Sequence, residues 1–423
     1  MQTVAGGISL AAASRSYAAT LAATTLIALD KLTAANAPAA NLLCLCGYLA
    51  PEPIPATWFS KPAAYARLPN TAEVTPLPAG LLQTTQAYGH IRDIGLGRVD
   101  HNGLRLHRLT QAILRDRTAD HQAAYQTIII AVLTSAAPQG SNDPSGWPDW
   151  SRLVPHLLTV TPQSTSGTFR ALAGAAARYL LVSGQTRAAL TMTTRLHQIW
   201  TAELGPDNVD ALNAAQYLAH AIHDSGDYVK ALELQRDTLA RRHRVLGEDH
   251  PDTLNSANDL AASLYSLRRR EEALALDQDT YDRRRRVLGE DHPDTLNSAN
   301  SLAAALSAVG RRQKALALHQ DTYDRRRRVL GEDHPHTLTS ATDLANALYL
   351  LGRRQEALVL RQDTYNRRRR VLGKDHPDTL ASARSLAVNL EGIGLRKAAL
   401  RVKGQGPKER LKSQKPKKHK KHK

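Results

Sequence analysis

Between Asp252 and Pro293 the apolar residues fall into two helical stripes with a polar break between them. Leu254, Ala257, Ala261 and Leu264 keep three- and four-residue steps, and Leu260 and Leu267 widen that stripe. After the break, Ala273, Leu276, Thr280 and Val287 lie on one helical line, and Leu274, Tyr281 and Leu288 on the next. The spacing predicts a helix, a short turn and a second helix. Gly289 stands where the chain leaves the second helix, a place that calls for a left-handed backbone. Pro293 suits the first position of the following helix, where its lack of an N–H donor costs little. Asp294 complements the positive end of that helix.

The whole pattern recurs. Gln278–Pro293 reads QDTYDRRRRVLGEDHP, and Gln320–Pro335 repeats it letter for letter, 42 residues further on. Gly205, Gly247, Gly289, Gly331 and Gly373 keep the same step, as do Pro251, Pro293, Pro335 and Pro377. Within a copy, Gly226, Gly310 and Gly352 mark the break between the two helices. A fixed period of this size predicts a stacked α-solenoid, in which each unit buries its apolar face only against its neighbours. Five copies are expected from about residue 168 to 377, the first of them degenerate. A sixth first helix follows over 378–392, and its second helix begins as RKAALRV. No polar capping helix follows it, although solenoids normally end on one.

The first third of the chain has a different rhythm. Asn41–Leu49 and Leu81–Ile94 read as helices, separated by the proline-rich Pro51–Pro55. Gly97–His107 reads as a tight hairpin with Asn102-Gly103 at its turn, and Leu109–Arg117 as the next helix. Helices closed by a hairpin suggest a small winged-helix-like domain over 38–120. It is preceded by a helical segment, 1–37, and followed by a helical linker over 121–167 that includes Trp147–Leu158. The expected fold is all-α: a winged-helix-like domain, then a solenoid over 168–402.

Composition sharpens this picture in two places. Aromatic residues make up only 4% of the chain, so its helices must pack through Leu and Ala. The formal charge of +17 divides unevenly: Lys403–Lys423 carries nine Lys and one Arg against one Glu, leaving +8 for the other 402 residues. That shift predicts a disordered Lys-rich tail over 403–423, which could meet a nucleic acid. Cys44 and Cys46, the only cysteines, lack the partners for a disulfide framework or a zinc site and read as buried helix residues. No leader with a charged start and an apolar core is visible, and no segment reaches the roughly 20 apolar residues of a membrane span. A cytoplasmic protein without membrane contact is expected.

The repeats resemble tetratricopeptide repeats, specifically the 42-residue kind of kinesin light chain. Leu302, Ala303, Leu306, Gly310 and Ala315 stand at that family's spacing, and LGEDHP matches its inter-repeat turn. The resemblance implies a scaffold that binds a protein or peptide. The words LCGYLAPEPIP at Leu45–Pro55 and LRLHRLTQAILRD at Leu104–Asp116 resemble the winged-helix region behind the nucleotide-binding module of bacterial NB-ARC (STAND-type) signalling proteins. There a Met-His-Asp-like motif sets its His against bound ADP, and His107 is the corresponding residue. Leu106 and Arg108 stand where that family has Met and Asp. The residue-level alternative is that His107 closes the strand end by bonding to backbone.

The phosphate-holding loop of such proteins, G-x-x-x-x-G-K-[ST], is absent, and Gly373-Lys374-Asp375 does not supply it. By that resemblance Met1 falls inside a connecting helical region. The chain is therefore expected to be a piece of a switch protein that needs a nucleotide-binding ATPase in trans, or else a decaying fragment. No cofactor, no bound metal and no catalytic set is expected, and so no enzyme.

Candidate chemistry lies in the repeats. The runs Arg283–Arg286, Arg325–Arg328 and Arg367–Arg370 invite two readings: a solvated face with Asp279/Arg283, Asp282/Arg286 and their copies as intrahelical pairs, or a groove for acidic peptides or phosphates. Arg284, Arg326 and Arg368 fall nearest the apolar stripe, positioned either to line the groove or to pack their stems on the next unit. Asn258 and Asn300 match a groove Asn that kinesin light chains use against peptide backbone, with Gln216, Thr342 and Arg384 at the same place in other copies. An amide suits that task because it donates and accepts at once. His250, His292, His334 and His376 recur once per copy and read as turn residues. The leading expectation is a non-enzymatic interaction scaffold or sensor arm of an NB-ARC-type system. The rival is a nucleic-acid-binding protein using the winged helix and the tail.

Overall fold

A computed structural model describes residues 10–61, 68, 71–74, 76–141, 143–160 and 166–403. Among them are eighteen α-helices and one two-stranded sheet. The chain divides into two compact units, residues 1–230 and 231–423.

The first unit holds α1 (Leu10–Ala35), α2 (Ala37–Cys46), α3 (Leu81–Asp93), β1 (Arg98–Asp100), β2 (Gly103–Arg105), α4 (Arg108–Arg117), α5 (Gln122–Ala136), α6 (Trp147–Thr159), α7 (Gly167–Val182), α8 (Thr186–Leu204) and α9 (Val209–Asp224). One apolar core runs from Leu29 through Leu42, Ile91, Ile129 and Trp150 to Phe169 and Ala221. The degenerate first repeat, α7 and α8, therefore shares its core with the helices before it. Cys44 and Cys46 are both buried on α2, and desolvation pushes the Cys44 thiol up to about 11. Neither is a poised nucleophile.

The hairpin pairs Arg98 with Arg105, Val99 with Leu104 and Asp100 with Gly103. Its turn is thus His101-Asn102, not Asn102-Gly103. The Asp100 carboxylate accepts the Asn102 N–H at 2.7 Å and closes the turn one residue early. Gly103 is needed for another reason. Its φ is 130°, and a Cβ there would stand 2.1 Å from the Ile54 carbonyl oxygen, because Ile54 adds a bridge to Leu104 on the open side of β2.

Across the unit boundary runs α10 (Tyr228–Leu246), and the second unit continues with α11 (Pro251–Ser266), α12 (Arg270–Leu288), α13 (Pro293–Ala308), α14 (Arg312–Leu330), α15 (Pro335–Leu350), α16 (Arg354–Leu372), α17 (Pro377–Gly392) and α18 (Arg396–Lys403). From α11 onward, 16-residue and 19-residue helices alternate, as the two stripes require, until α18 breaks the series at 8 residues. Small residues allow close packing: Ala273, Ala303, Ala315, Ala345 and Ala357 are almost wholly buried between leucines such as Leu296, Leu302, Leu338 and Leu344. The 19-residue helices α12, α14 and α16 each end on a glycine with φ near 88°, Gly289, Gly331 and Gly373. Inside the repeats the break is left-handed too, at Gly310 and Gly352, but Arg268 must hold φ 61° where its copies have glycine. Residues 404–423, the expected tail, lie outside the described residues.

Candidate functional site

Each four-arginine run is divided among separate tasks. The first arginine bridges to the acidic pair of the preceding turn. Arg325 reaches Glu290 at 2.6 Å, Asp291 at 3.0 Å and Asp321 at 2.8 Å, and Arg283 and Arg367 repeat the pattern one repeat earlier and later. The fourth arginine meets the same turn, Arg328 on Asp291 at 2.8 Å and Arg286 on Asp249 at 2.7 Å. The expected Asp282/Arg286 and Asp324/Arg328 pairs are therefore not formed. Arg286 and Arg328 turn to the preceding repeat, and Asp282 and Asp324 accept from Gln278 and Gln320 instead. Hydrogen bonds from Arg325, and then Arg328, hold the Asp291 carboxyl below its ordinary range.

The second arginine is internal. Arg284, Arg326 and Arg368 are at most 7% exposed. Arg326 donates to Ser340 Oγ at 2.8 Å, to the His336 carbonyl at 3.4 Å and to Asn297 Oδ1 at 2.6 Å, clamping α14 between α13 and α15. Arg284 makes the same bonds to Ser298, Asp294 and Asn255. These side chains hold consecutive helices together, and the arginines on which an acidic ligand was expected are already engaged.

The recurrent histidines are helix caps. Nδ1 of His250, His292, His334 and His376 accepts the N–H two residues on, at 3.2 Å in each case. His107 uses the same device at the start of α4, accepting from Leu109 at 3.2 Å. That is the backbone-bonded geometry that the residues themselves allow.

An open cavity of about 690 Å³ lies among α13, α14 and α15. Its polar centre is a chain of three groups. Asn300 Nδ2 donates to Asp343 at 2.6 Å, and the Asn300 oxygen meets His319 Nδ1 at 3.3 Å. The carboxylate fixes the amide, and the amide in turn requires the proton of His319 on Nδ1, leaving Nε2 as an acceptor. Burial holds His319 below its usual pKa, so the ring is neutral. Asn297, Arg326 and Thr339 complete the polar wall, with Tyr265 and Leu350 at its apolar edges.

The two repeats that form this cavity, 294–335 and 336–377, differ at thirteen of 42 positions, and eight of the thirteen supply residues to its wall. Ser301/Asp343, Ala304/Asn346, Ala308/Leu350 and His319/Arg361 are among these pairs, while the packing leucines and alanines are unchanged.

Family comparison addresses the same segment. Residues 210–285 and 255–328 match one model described as tetratricopeptide repeat, and 337–378 match a second with that description. These segments are tetratricopeptide repeats. No curated protein matches the chain. Among solved structures, a putative kinesin light chain of Podosopora anserina with nearly identical TPR-like repeats is similar over 47% of this chain and 94% of its own, at 26% identity and TM-score 0.43. BtubC (BKLC) from P. vanneervenii covers 56% of this chain and 96% of its own at 16% and 0.45. A Rap protein complexed with Competence and Sporulation Factor covers 75% and 81% at 12% and 0.40.

Among the sequence-predicted residues, the tetratricopeptide repeats bring Asn300 and Arg326 into one cavity. Asn258 lies one repeat earlier on α11, half-buried, and its Oδ1 has no hydrogen-bond partner. Gln216 lies on α9 in the first unit, and Arg284 and Arg368 are inter-helix clamps. Three groups went unnoticed in the sequence: Asp277, His319 and Asp343. A signal for them was present, since they are places where near-identical copies of the tetratricopeptide repeat diverge.

Proposed function

We propose that this chain is a non-enzymatic interaction scaffold that holds a partner protein, through an extended peptide segment, along the α11, α13 and α15 side of its tetratricopeptide repeats. The observation that carries this reading is the coincidence of cavity and divergence. Packing positions are copied from repeat to repeat, whereas the polar walls of the open cavity are altered, as expected of a surface that must fit something other than the next repeat. Asn300 and Asn258 offer amides to a peptide backbone, and Gln216 offers one on the first unit. The Arg284, Arg326 and Arg368 clamps support the groove from beneath.

A photo-crosslinking residue placed at Ser301 of the full chain, compared with one at Asp282, tests the reading against lysate from the source cells. Defined adducts from Ser301 alone support it. Equal or absent adducts at the two positions would overturn it.

The sensor-arm reading is carried forward with it. The α2–α4 region with its hairpin would dock as a winged helix on a nucleotide-binding ATPase supplied in trans, in the cytoplasm, with His107 toward the nucleotide. Supporting it are the position of His107 between β2 and α4 and the words shared with NB-ARC proteins. No described helix is long and apolar enough to cross a membrane. The nucleic-acid alternative rests on Lys403–Lys423, and it requires affinity that falls steeply with salt and is lost when 404–423 is removed.

A further inference from the structure

One register position carries a different polar residue in each of four repeats: Gln235, Asp277, His319 and Arg361, all at most 7% exposed. His319 gives its proton to Asn300, and Arg361 gives Nη2 to Asn346 at 2.8 Å and Nη1 to the Ser385 carbonyl at 3.1 Å. Gln235 also has an amide to donate. Asp277, when ionised, has no proton to give. Its Oδ1 is buried with no hydrogen-bond partner, and the same is true of Oδ1 of Asn258, the register counterpart of Asn300. Where the next repeat joins the His319 ring to the Asn300 oxygen, this one leaves both oxygens unpaired. Burial pushes the Asp277 carboxyl up to about 7, and no neighbouring cation opposes that shift. The register also assigns Ser301, the counterpart of Ser385, to the far side of Asp277, and Ser301 lines the cavity.

Asp343 is the second unusual carboxylate. Most aspartates of the surrounding turns are paired with arginine, but Asp343 forms no ion pair among the described residues; it accepts from the Asn300 amide and lies within Coulombic reach of the buried Arg326 and Arg368. Arg326 shares the cavity at 3% exposure and directs three N–H bonds to Asn297, Ser340 and the His336 carbonyl. His319 and its neighbour Asn300 present acceptors. Among the lining residues Asp343 is the only carboxylate, and the Arg326 guanidinium beside it, which keeps its charge, is turned onto neutral acceptors of the protein.

We propose that the groove selects a basic peptide: one lysine or arginine side chain pairs with Asp343 beside Asn300, and another with Asp277 beside Asn258. An ammonium or guanidinium supplies Asp343 with a donor beyond the one bond it accepts from Asn300, and supplies the unpaired oxygens of Asp277 and Asn258 with the donor they lack. This deepens the peptide-groove reading and rests on it. It also reverses the acidic preference suggested by the arginine runs, which are consumed in holding repeat to repeat.

The test uses fluorescent decapeptide libraries, randomised except for one fixed residue, titrated against the full chain at physiological salt and followed by anisotropy. Libraries fixed with Lys or Arg should bind, and libraries fixed with Glu or Leu should bind at least tenfold more weakly. Asp343→Asn and Asp277→Asn, whose helix content is checked by circular dichroism, should each lower affinity for the basic libraries about tenfold. Binding of the Glu libraries, undiminished in those variants, would overturn the basic preference and leave the peptide groove standing. Basic-library binding that neither substitution changes would overturn the assignment to these carboxylates. If no library binds, both this inference and the peptide reading fail.

Discussion

Asp277 gives the sharpest test of the structure, because its cost is specific to one charge state. The unfolded carboxyl has a pKa near 3.8, whereas burial raises the folded one to about 7. The folded chain therefore binds this proton more tightly than the unfolded chain does. Stability is greatest below the unfolded value and is lost as pH rises toward 7. A full shift of about three units corresponds to roughly 4 kcal/mol, of which on the order of 3 kcal/mol falls between about pH 5 and pH 8. Asn replaces the carboxylate with a group of the same shape that never ionises and can donate to Asn258. Unfolding of the full chain in urea, measured at both pH values for wild type and Asp277→Asn, isolates the effect because every other titrating group cancels. The variant should be the more stable protein at pH 8, and its stability should fall by about 3 kcal/mol less between the two conditions. Parallel pH dependence in the two proteins would refute the reasoning, since Asp277 would then have to ionise as freely as an exposed carboxyl.

Arg326→Ala should cost about 2–4 kcal/mol by urea unfolding, because it leaves the buried Ser340 hydroxyl without its donor and opens space between α13 and α15. Arg325→Ala should cost less, and its effect should shrink in 1 M salt as exposed ion pairs are screened. His292→Ala should cost about 1 kcal/mol through loss of the α13 cap, and His292→Asn should recover most of it in the same assay. Arg268→Gly should raise the thermal midpoint, with a gain of up to about 1 kcal/mol, because the left-handed backbone at that break no longer carries a Cβ. An unchanged or lower midpoint would show that the Arg268 side chain makes contacts that offset its strain.

Much of this protein follows from the sequence alone. The helix pairs, their 42-residue step, the glycine exits and the proline starts are local matters, set by which residues tolerate a left-handed turn or a missing N–H. Copies of one motif must fold alike, so reading one repeat read them all. The hairpin was legible as well, but not its turn. Asn-Gly is a strong local signal, and it was overridden when Asp100 closed the loop early and the Ile54 backbone took the space beside Gly103.

Only the tertiary structure decided what the arginines do. Four successive residues on a helix point in four directions, and the helix alone offers each of them just its i–4 neighbour. Stacking brings up Asp249, Asp291 and Asp333 from preceding turns, where one carboxylate can serve two arginines, and it buries Arg284, Arg326 and Arg368 against serines of the next helix. Burial likewise separated Asp277 from the paired aspartates near it in sequence, because the same carboxyl is ordinary in water and costly where no donor faces it. The letters at 277, 319 and 343 were visible as differences between copies. That His319 and Asp343 line one cavity depends on which helix faces are left uncovered when the repeats stack.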